Sequence, residues 1–182
     1  MNLIETNIQG VLIIEPRVFE DSRGYFFESY NENFFKQHGL NYHFVQDNES
    51  LSSYGTIRGL HFQKFEYAQA KLVRVLQGRV LDVAVDLRPK SATYGQHIAV
   101  ELTSDNKRQL LIPRGFAHGF SVLSETAVFA YKCDNFYHAP ADAGLLWNDS
   151  DLAIDWKIPD DKVILSDKDK KHPQLKDLEK CF

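Results

Sequence analysis

The sequence predicts an all-β domain, a sandwich or barrel into which a jelly roll fits. Three observations predict it. Short runs of alternating apolar and polar residues recur at spacings of roughly 8–12 residues. Turn chemistry separates them, as in Arg88-Pro89-Lys90-Ser91, Ser104-Asp105-Asn106 and Pro113-Arg114-Gly115. Helix signals are few.

In chain order, the first apolar run is Val11 to Ile14, flanked by Glu5 and Glu15. With no basic start and no long apolar core, it does not read as a signal peptide. Asn31 can cap a short helix through Phe34, Phe35 and Gln37, ended by Gly39. A strand-like run spans Gly55 to Gln63. Lys71–Leu76 and Arg79–Asp86 flank Gln77-Gly78 and predict a hairpin, with Leu81, Val83 and Val85 on one face. Further strands are expected at Ile98–Leu102, Gln109–Ile112, His118–Leu123 and Ala127–Cys133. From Asp160 onward Lys and Asp dominate, which reads as a solvated appendage. Within it Ser166 to Asp169 has capping-box spacing before a short helical segment. Residues 1–182 are therefore read as one domain, with 160–182 as a C-terminal appendage near the barrel mouth.

Composition narrows the function. There are 21 Lys and Arg against 25 Asp and Glu, a net charge of −4, so nothing points to nucleic acid as a partner. No 18-residue stretch is free of charged and strongly polar residues, so no membrane span is expected. Thirteen Phe, eight Tyr and two Trp exclude a disordered chain and must either pack strands or line a site for a flat ligand. Cys133 and Cys181 show no metal or CxxC spacing and read as free thiols in a reducing compartment, with cytoplasm as the default.

The run Gly55-Thr-Ile-Arg-Gly-Leu-His-Phe-Gln63 puts Arg58, His61 and Gln63 into one strand. Such polar capacity is costly unless partnered, and either a wet barrel interior or an exposed edge supplies partners. Strict alternation sets Arg58 opposite His61; a bulge at Gly59 turns both inward. Lys71 opens a strand in step with Val73 and Val75, and either snorkels out or reaches a cavity. Tyr131 shares a face with Phe129 and Cys133, where core packing and a chemical role both remain open. His118 follows the turn at Pro113. No HxH pattern accompanies His61 or His118, so a metal ligand set is not evident, and nucleotide-loop and hydrolase motifs are absent. Arg23, Arg58, Lys71 and Lys168 are basic groups suited to phosphate in an otherwise acidic chain.

Taken together, these residues resemble the dTDP-4-dehydrorhamnose 3,5-epimerase family over nearly the whole chain. The matching stretches are Phe19-Glu-Asp-Ser-Arg-Gly-Tyr-Phe-Phe-Glu28, Gln46-Asp-Asn-Glu-Ser50, Gly55 to Gln63 and Ala68-Gln-Ala-Lys71. They continue with Gly78 to Arg88, Pro113 to Phe120, Trp147-Asn-Asp149 and Leu165-Ser-Asp-Lys-Asp169. The resemblance implies a cupin-like jelly roll, a homodimer, and catalysis with neither metal nor cofactor on a dTDP-linked 4-keto-6-deoxyhexose. It implies His61 as base, Asp169 as its partner, Tyr131 as acid, and Lys71 near the keto oxygen. Arg23, Glu28, Gln46, Asp47, Asn48, Arg58, His118 and Lys168 would contact the nucleotide sugar, with Phe26, Gln63 and Asp142 in the same set. Tyr137 would stack on thymine. Relatives often carry Glu where Asp142 stands, and the shorter carboxylate reaches less far.

Overall fold

The computed structural model describes residues 1–182. In chain order the strands are β1 (Asn2–Glu5), β2 (Leu12–Glu15), β3 (Phe19–Asp21), β4 (Gly24–Phe26), β5 (Gln46–Ser53), β6 (Ile57–Gln63), β7 (Lys71–Gln77), β8 (Arg79–Asp86), β9 (His97–Thr103), β10 (Gln109–Ile112), β11 (Phe116–Val122), β12 (Thr126–Cys133) and β13 (Asp142–Gly144). Six form one sheet in the order β1-β2-β10-β7-β12-β5, and five form a second in the order β13-β6-β11-β8-β9. β3 and β4 make a separate two-stranded ribbon. Pairing within the sheets is antiparallel. This is the all-β jelly roll that the sequence predicts.

The expected hairpin around Gln77-Gly78 does not form. β7 pairs with β10 and β12, whereas β8 pairs with β9 and β11 in the other sheet. The reason lies in β8, where every residue after Arg79 is buried. A strand apolar on both faces needs neighbours on both edges and cover on both sides, and a hairpin at the edge of one sheet supplies neither. Gly78, at φ +83°, carries the chain across; a Cβ there would lie 2.2 Å from the Thr126 carbonyl oxygen.

Three apolar clusters follow from the two faces of each sheet. Val73, Val75 and Phe129 of the six-stranded sheet meet Val80, Ala84, Phe120 and Val122 of the five-stranded sheet in the central core. Outside the five-stranded sheet, Leu81, Val83 and Val85 pack on Leu145, Leu152, Trp156 and Cys181. Outside the six-stranded sheet, Leu72 and Leu111 pack on Phe35. Phe35 belongs to α1 (Glu32–Gln37), where Asn31 Oδ1 accepts the Phe34 amide at 3.1 Å and Gly39 takes the positive φ that ends the helix.

The segment after Asp160 is not simply solvated. Its charges other than Asp169 face water, but Val163, Leu165, Leu175, Leu178 and Phe182 pack on the outer cluster. Ile164 bridges Thr56 beside β6. The Ser166–Asp169 cap forms, with the Asp169 amide donating to Ser166 Oγ at 3.1 Å, yet only single 3-10 turns follow, at Asp169–Lys171 and Leu175–Asp177. Both cysteines are free and buried. No helix is long and apolar enough to cross a membrane.

Candidate active site

The site begins with a break in the alternation of β6. His118 faces His61 in the register, and Phe120 faces Arg58, so β11 advances two residues while β6 advances three. The extra residue is the bulge anticipated at Gly59. Gly59 sits at φ +134°, and a Cβ there would lie 2.5 Å from Gly119 Cα, so the two backbones approach where no side chain fits. The consequence is that Arg58 and His61 both line one cleft.

That cleft, of about 170 Å³, opens between the two sheets. Strand parity fills it from the other sides. Lys71 comes from the inward face of β7 with Val73 and Val75, and Tyr131 from that of β12 with Phe129. His118 comes from β11, and Glu49 and Ser50 from β5. Phe120 and Phe129, stacked at 4.2 Å, form an apolar floor. The snorkelling alternative for Lys71 is therefore set aside.

His61 is held by a carboxylate far away in the chain. Its Nε2 lies 2.6 Å from Asp169 Oδ1, and Asp169 is buried at 3% exposure. Burial works against the Asp169 charge, but hydrogen bonds from His61 and Ser166 with the positive potential of His61 and His172 outweigh it, so its pKa falls below the usual carboxylate value. A carboxylate accepts only, so Nε2 carries a proton; when the ring is neutral, Nδ1 then holds the lone pair that a general base needs.

The remaining groups are tuned by burial. It holds the Lys71 ammonium below its usual pKa, partly offset by Cys133, Asp82 and Asp142. It raises the Tyr131 phenol, which stays protonated and able to donate. It lowers His118, against the pull of Asp82, whose Oδ2 lies 3.0 Å from His118 Nε2. Arg58 Nε donates to Ser52 Oγ at 3.0 Å. The arrangement offers a base, a proton donor and cationic or N–H groups around one cavity, which suits proton removal beside a carbonyl and stabilisation of the resulting enolate.

A second polar group sits beside the cleft. Asp142 accepts from Tyr137 Oη at 3.1 Å, pairs with Lys168, and lies 3.4 Å from Gln63 Nε2. Gln46 Oε1 accepts the Tyr137 amide, and Gln46 Nε2 donates to Asn48. The shorter side chain of Asp142 thus reaches its neighbours. The Tyr137 ring is exposed, so its face is free.

Other site residues expected from the sequence are not brought here by this chain. Asp47 stands opposite Lys132 in the β5–β12 register and pairs with it at 2.9 Å; Asn48 stands opposite Tyr131. Adjacent strand residues face opposite ways, so Asp47 lies on the outer face. Arg23 and Phe26 sit on the β3–β4 ribbon in a different concavity, with Arg23 paired to exposed Asp21. Glu28 accepts from Asn31 near α1. Two site residues escaped the sequence reading. Asp82 is a fully buried acid on the same face as Val80 and Ala84, and a carboxylate within the apolar run of β8 was the available signal. His172 lies beside Asp169, and nothing in its spacing marked it.

Residues 5–177 match the family model for dTDP-4-dehydrorhamnose 3,5-epimerase. The enzyme of that name from Escherichia coli K12 is 54% identical over 98% of this chain and 96% of its own. A crystal structure of the Elizabethkingia anophelis NUHP1 enzyme is 60% identical, covers 97% of each chain and superposes with a TM-score of 0.93. The Legionella pneumophila Philadelphia 1 protein, solved in complex with dTDP-4-keto-L-rhamnose, is 46% identical over 98% of this chain and 94% of its own, with a TM-score of 0.94. With a family match over nearly its full length and a solved relative of the same architecture, the chain belongs to the dTDP-4-dehydrorhamnose 3,5-epimerase family.

Proposed function

We propose that this protein inverts C3 and C5 of dTDP-4-keto-6-deoxy-D-glucose to give dTDP-4-keto-L-rhamnose, a step in forming dTDP-L-rhamnose. The observation that carries the reading is the His61–Asp169 bond at a cleft that also holds Tyr131 and Lys71. His61 Nδ1 removes the proton next to the ketone. Asp169 stabilises the imidazolium that forms. Lys71, with His118, meets the charge left on the keto oxygen, and Tyr131 returns a proton to the opposite face. Repeating the cycle at the second carbon inverts both centres. Arg58 meets the nucleotide sugar from the cleft wall, while Gln46, Asn48, Gln63, Asp142 and Lys168 meet it at the rim, and Tyr137 offers its exposed ring to thymine.

The segment 160–182 belongs to the same functional unit as the barrel, because Asp169 comes from it. The protein acts as a homodimer in the cytoplasm. The β3–β4 ribbon projects Phe19, Tyr25 and Phe26 into solvent, which fits a surface covered by a second copy. Arg23, Phe26 and Glu28 then serve the partner's nucleotide.

Incubation with the 4-keto sugar nucleotide in deuterated water tests the chemistry. Two deuteria, at C3 and C5, with inversion support the reading. One deuterium identifies a single-centre epimerase, and none leaves a binding protein.

A further inference from the structure

His172 touches no reacting atom in the chemistry above, yet the fold gives it an unusual position. Its side chain is 10% exposed, and its Nε2 is buried with no hydrogen-bond partner. That nitrogen lies 3.6 Å from Asp169 Oδ1, the oxygen already bonded to His61 Nε2. The two imidazoles meet edge to face, centroids 5.6 Å apart at 73°. Gly144, which stands opposite His61 in the β13–β6 register, makes the room; a Cβ there would lie 2.6 Å from His172 Nε2. An orphaned buried nitrogen ordinarily costs stability. Here it points at a carboxylate and a second imidazole whose ligand atoms all lie within 4.8 Å of one another.

We propose that His61, Asp169 and His172 form an inhibitory binding site for a zinc-class divalent ion. Two imidazoles and one carboxylate are a borderline-soft donor set that suits zinc, cobalt or nickel rather than magnesium or calcium. Metal–ligand bonds of about 2.0–2.1 Å in a tetrahedron put ligand atoms roughly 3.3 Å apart. The observed 2.6 and 3.6 Å bracket that value, so small side-chain rotations admit the ion and leave the fourth position to water. On binding, the ion takes the His61 Nε2 lone pair, and the ring's single proton then resides on Nδ1. The nitrogen facing the sugar changes from acceptor to donor, and the base is lost. No electrons move; the ion occupies the place of the proton shared between His61 and Asp169. Inhibition rests on the epimerase reading, whereas binding does not.

The test uses the whole protein, freed of metal by a chelator. Titration with cobalt(II) is expected to give the intense visible bands of a tetrahedral ion at one equivalent, abolished by zinc. Zinc is expected to suppress deuterium exchange into substrate, and EDTA to restore it. His172→Gln is expected to need at least tenfold more zinc for half-inhibition, with each protein's exchange rate referred to its own metal-free value. Absence of stoichiometric cobalt bands in the wild-type protein overturns the site, a result that needs no variant to fold. Equal zinc sensitivity in His172→Gln also overturns it. Cobalt bands in a protein that exchanges no deuterium would uphold the ion site and refute the epimerase reading instead.

Discussion

Asp169→Asn is the perturbation that most directly tests the acid–base pair. The carboxylate is 2.6 Å from His61 Nε2 and almost wholly buried, so water cannot replace it. As His61 takes a proton, a neutral ring becomes an imidazolium, and the bond to Asp169 becomes one between opposite charges. Hydrogen bonds to charged groups contribute about 1.5–3 kcal/mol net. At roughly 1.4 kcal/mol per decade, their loss slows proton removal about 10- to 150-fold. If Asn instead turns its amide nitrogen toward Nε2, the ring must accept there and carry its proton on Nδ1, and the loss is larger. The assay is the single-turnover rate of deuterium entry at C3, followed by mass spectrometry with EDTA present. A folded variant whose rate stays within about twofold of the parent would refute the dyad.

Other outcomes follow from the same geometry. Tyr131→Phe should still exchange deuterium but should fail to complete inversion, as read by NMR of the product; equal loss of both would remove the acid role. Lys71→Ala should lower turnover about 10²- to 10³-fold, the usual cost of losing an oxyanion-stabilising donor, and an unchanged rate would show that its charge does not face the keto oxygen. Gly59→Ala forces a methyl group to within 2.5 Å of Gly119 Cα. A loss of about 2 kcal/mol or more, or roughly 5 °C in thermal midpoint, is expected. Asp86 is opposed by burial but carried down to about 2 by bonds from Arg88, Ser91 and Thr93. A carboxyl depressed in the folded state stabilises above its unfolded pKa of about 3.9 and loses that contribution as pH falls toward 2. Across that window Asp86→Asn should therefore lose about 2 kcal/mol less stability than the parent, as read by acid unfolding.

Strand positions were legible because side-chain alternation is a local property. Lys71, Gln109 and Ile112 mark strand ends just where turn residues and apolar runs place them. Which strands pair is not local. The Gln77-Gly78 turn has the chemistry of a hairpin, and only the two-faced burial of β8 reveals that it crosses between sheets. The polar content of β6 exposed Arg58 and His61 as residues needing a wet interior. Asp169 was out of reach of pattern alone, because 108 residues separate it from His61; the family resemblance supplied it. Asp47 and Asn48 are neighbours in the sequence, yet one pleat sets the first on the outer face and the second on the inner. His172 lacked any pattern, because its interest arises from an unpaired nitrogen that only folding creates.

The long separation of His61 from Asp169 also sets a clock. Synthesis at about 5–20 residues per second delivers the carboxylate roughly 5–20 s after the imidazole. Every strand of both sheets is made before Asp169 leaves the ribosome. A nascent barrel can therefore assemble while it is chemically silent. A chain interrupted between Gly144 and Asp169 would keep its complete set of strands, yet its His61 would lack the group that sets the ring's tautomer. The last segment decides when a barrel becomes an enzyme.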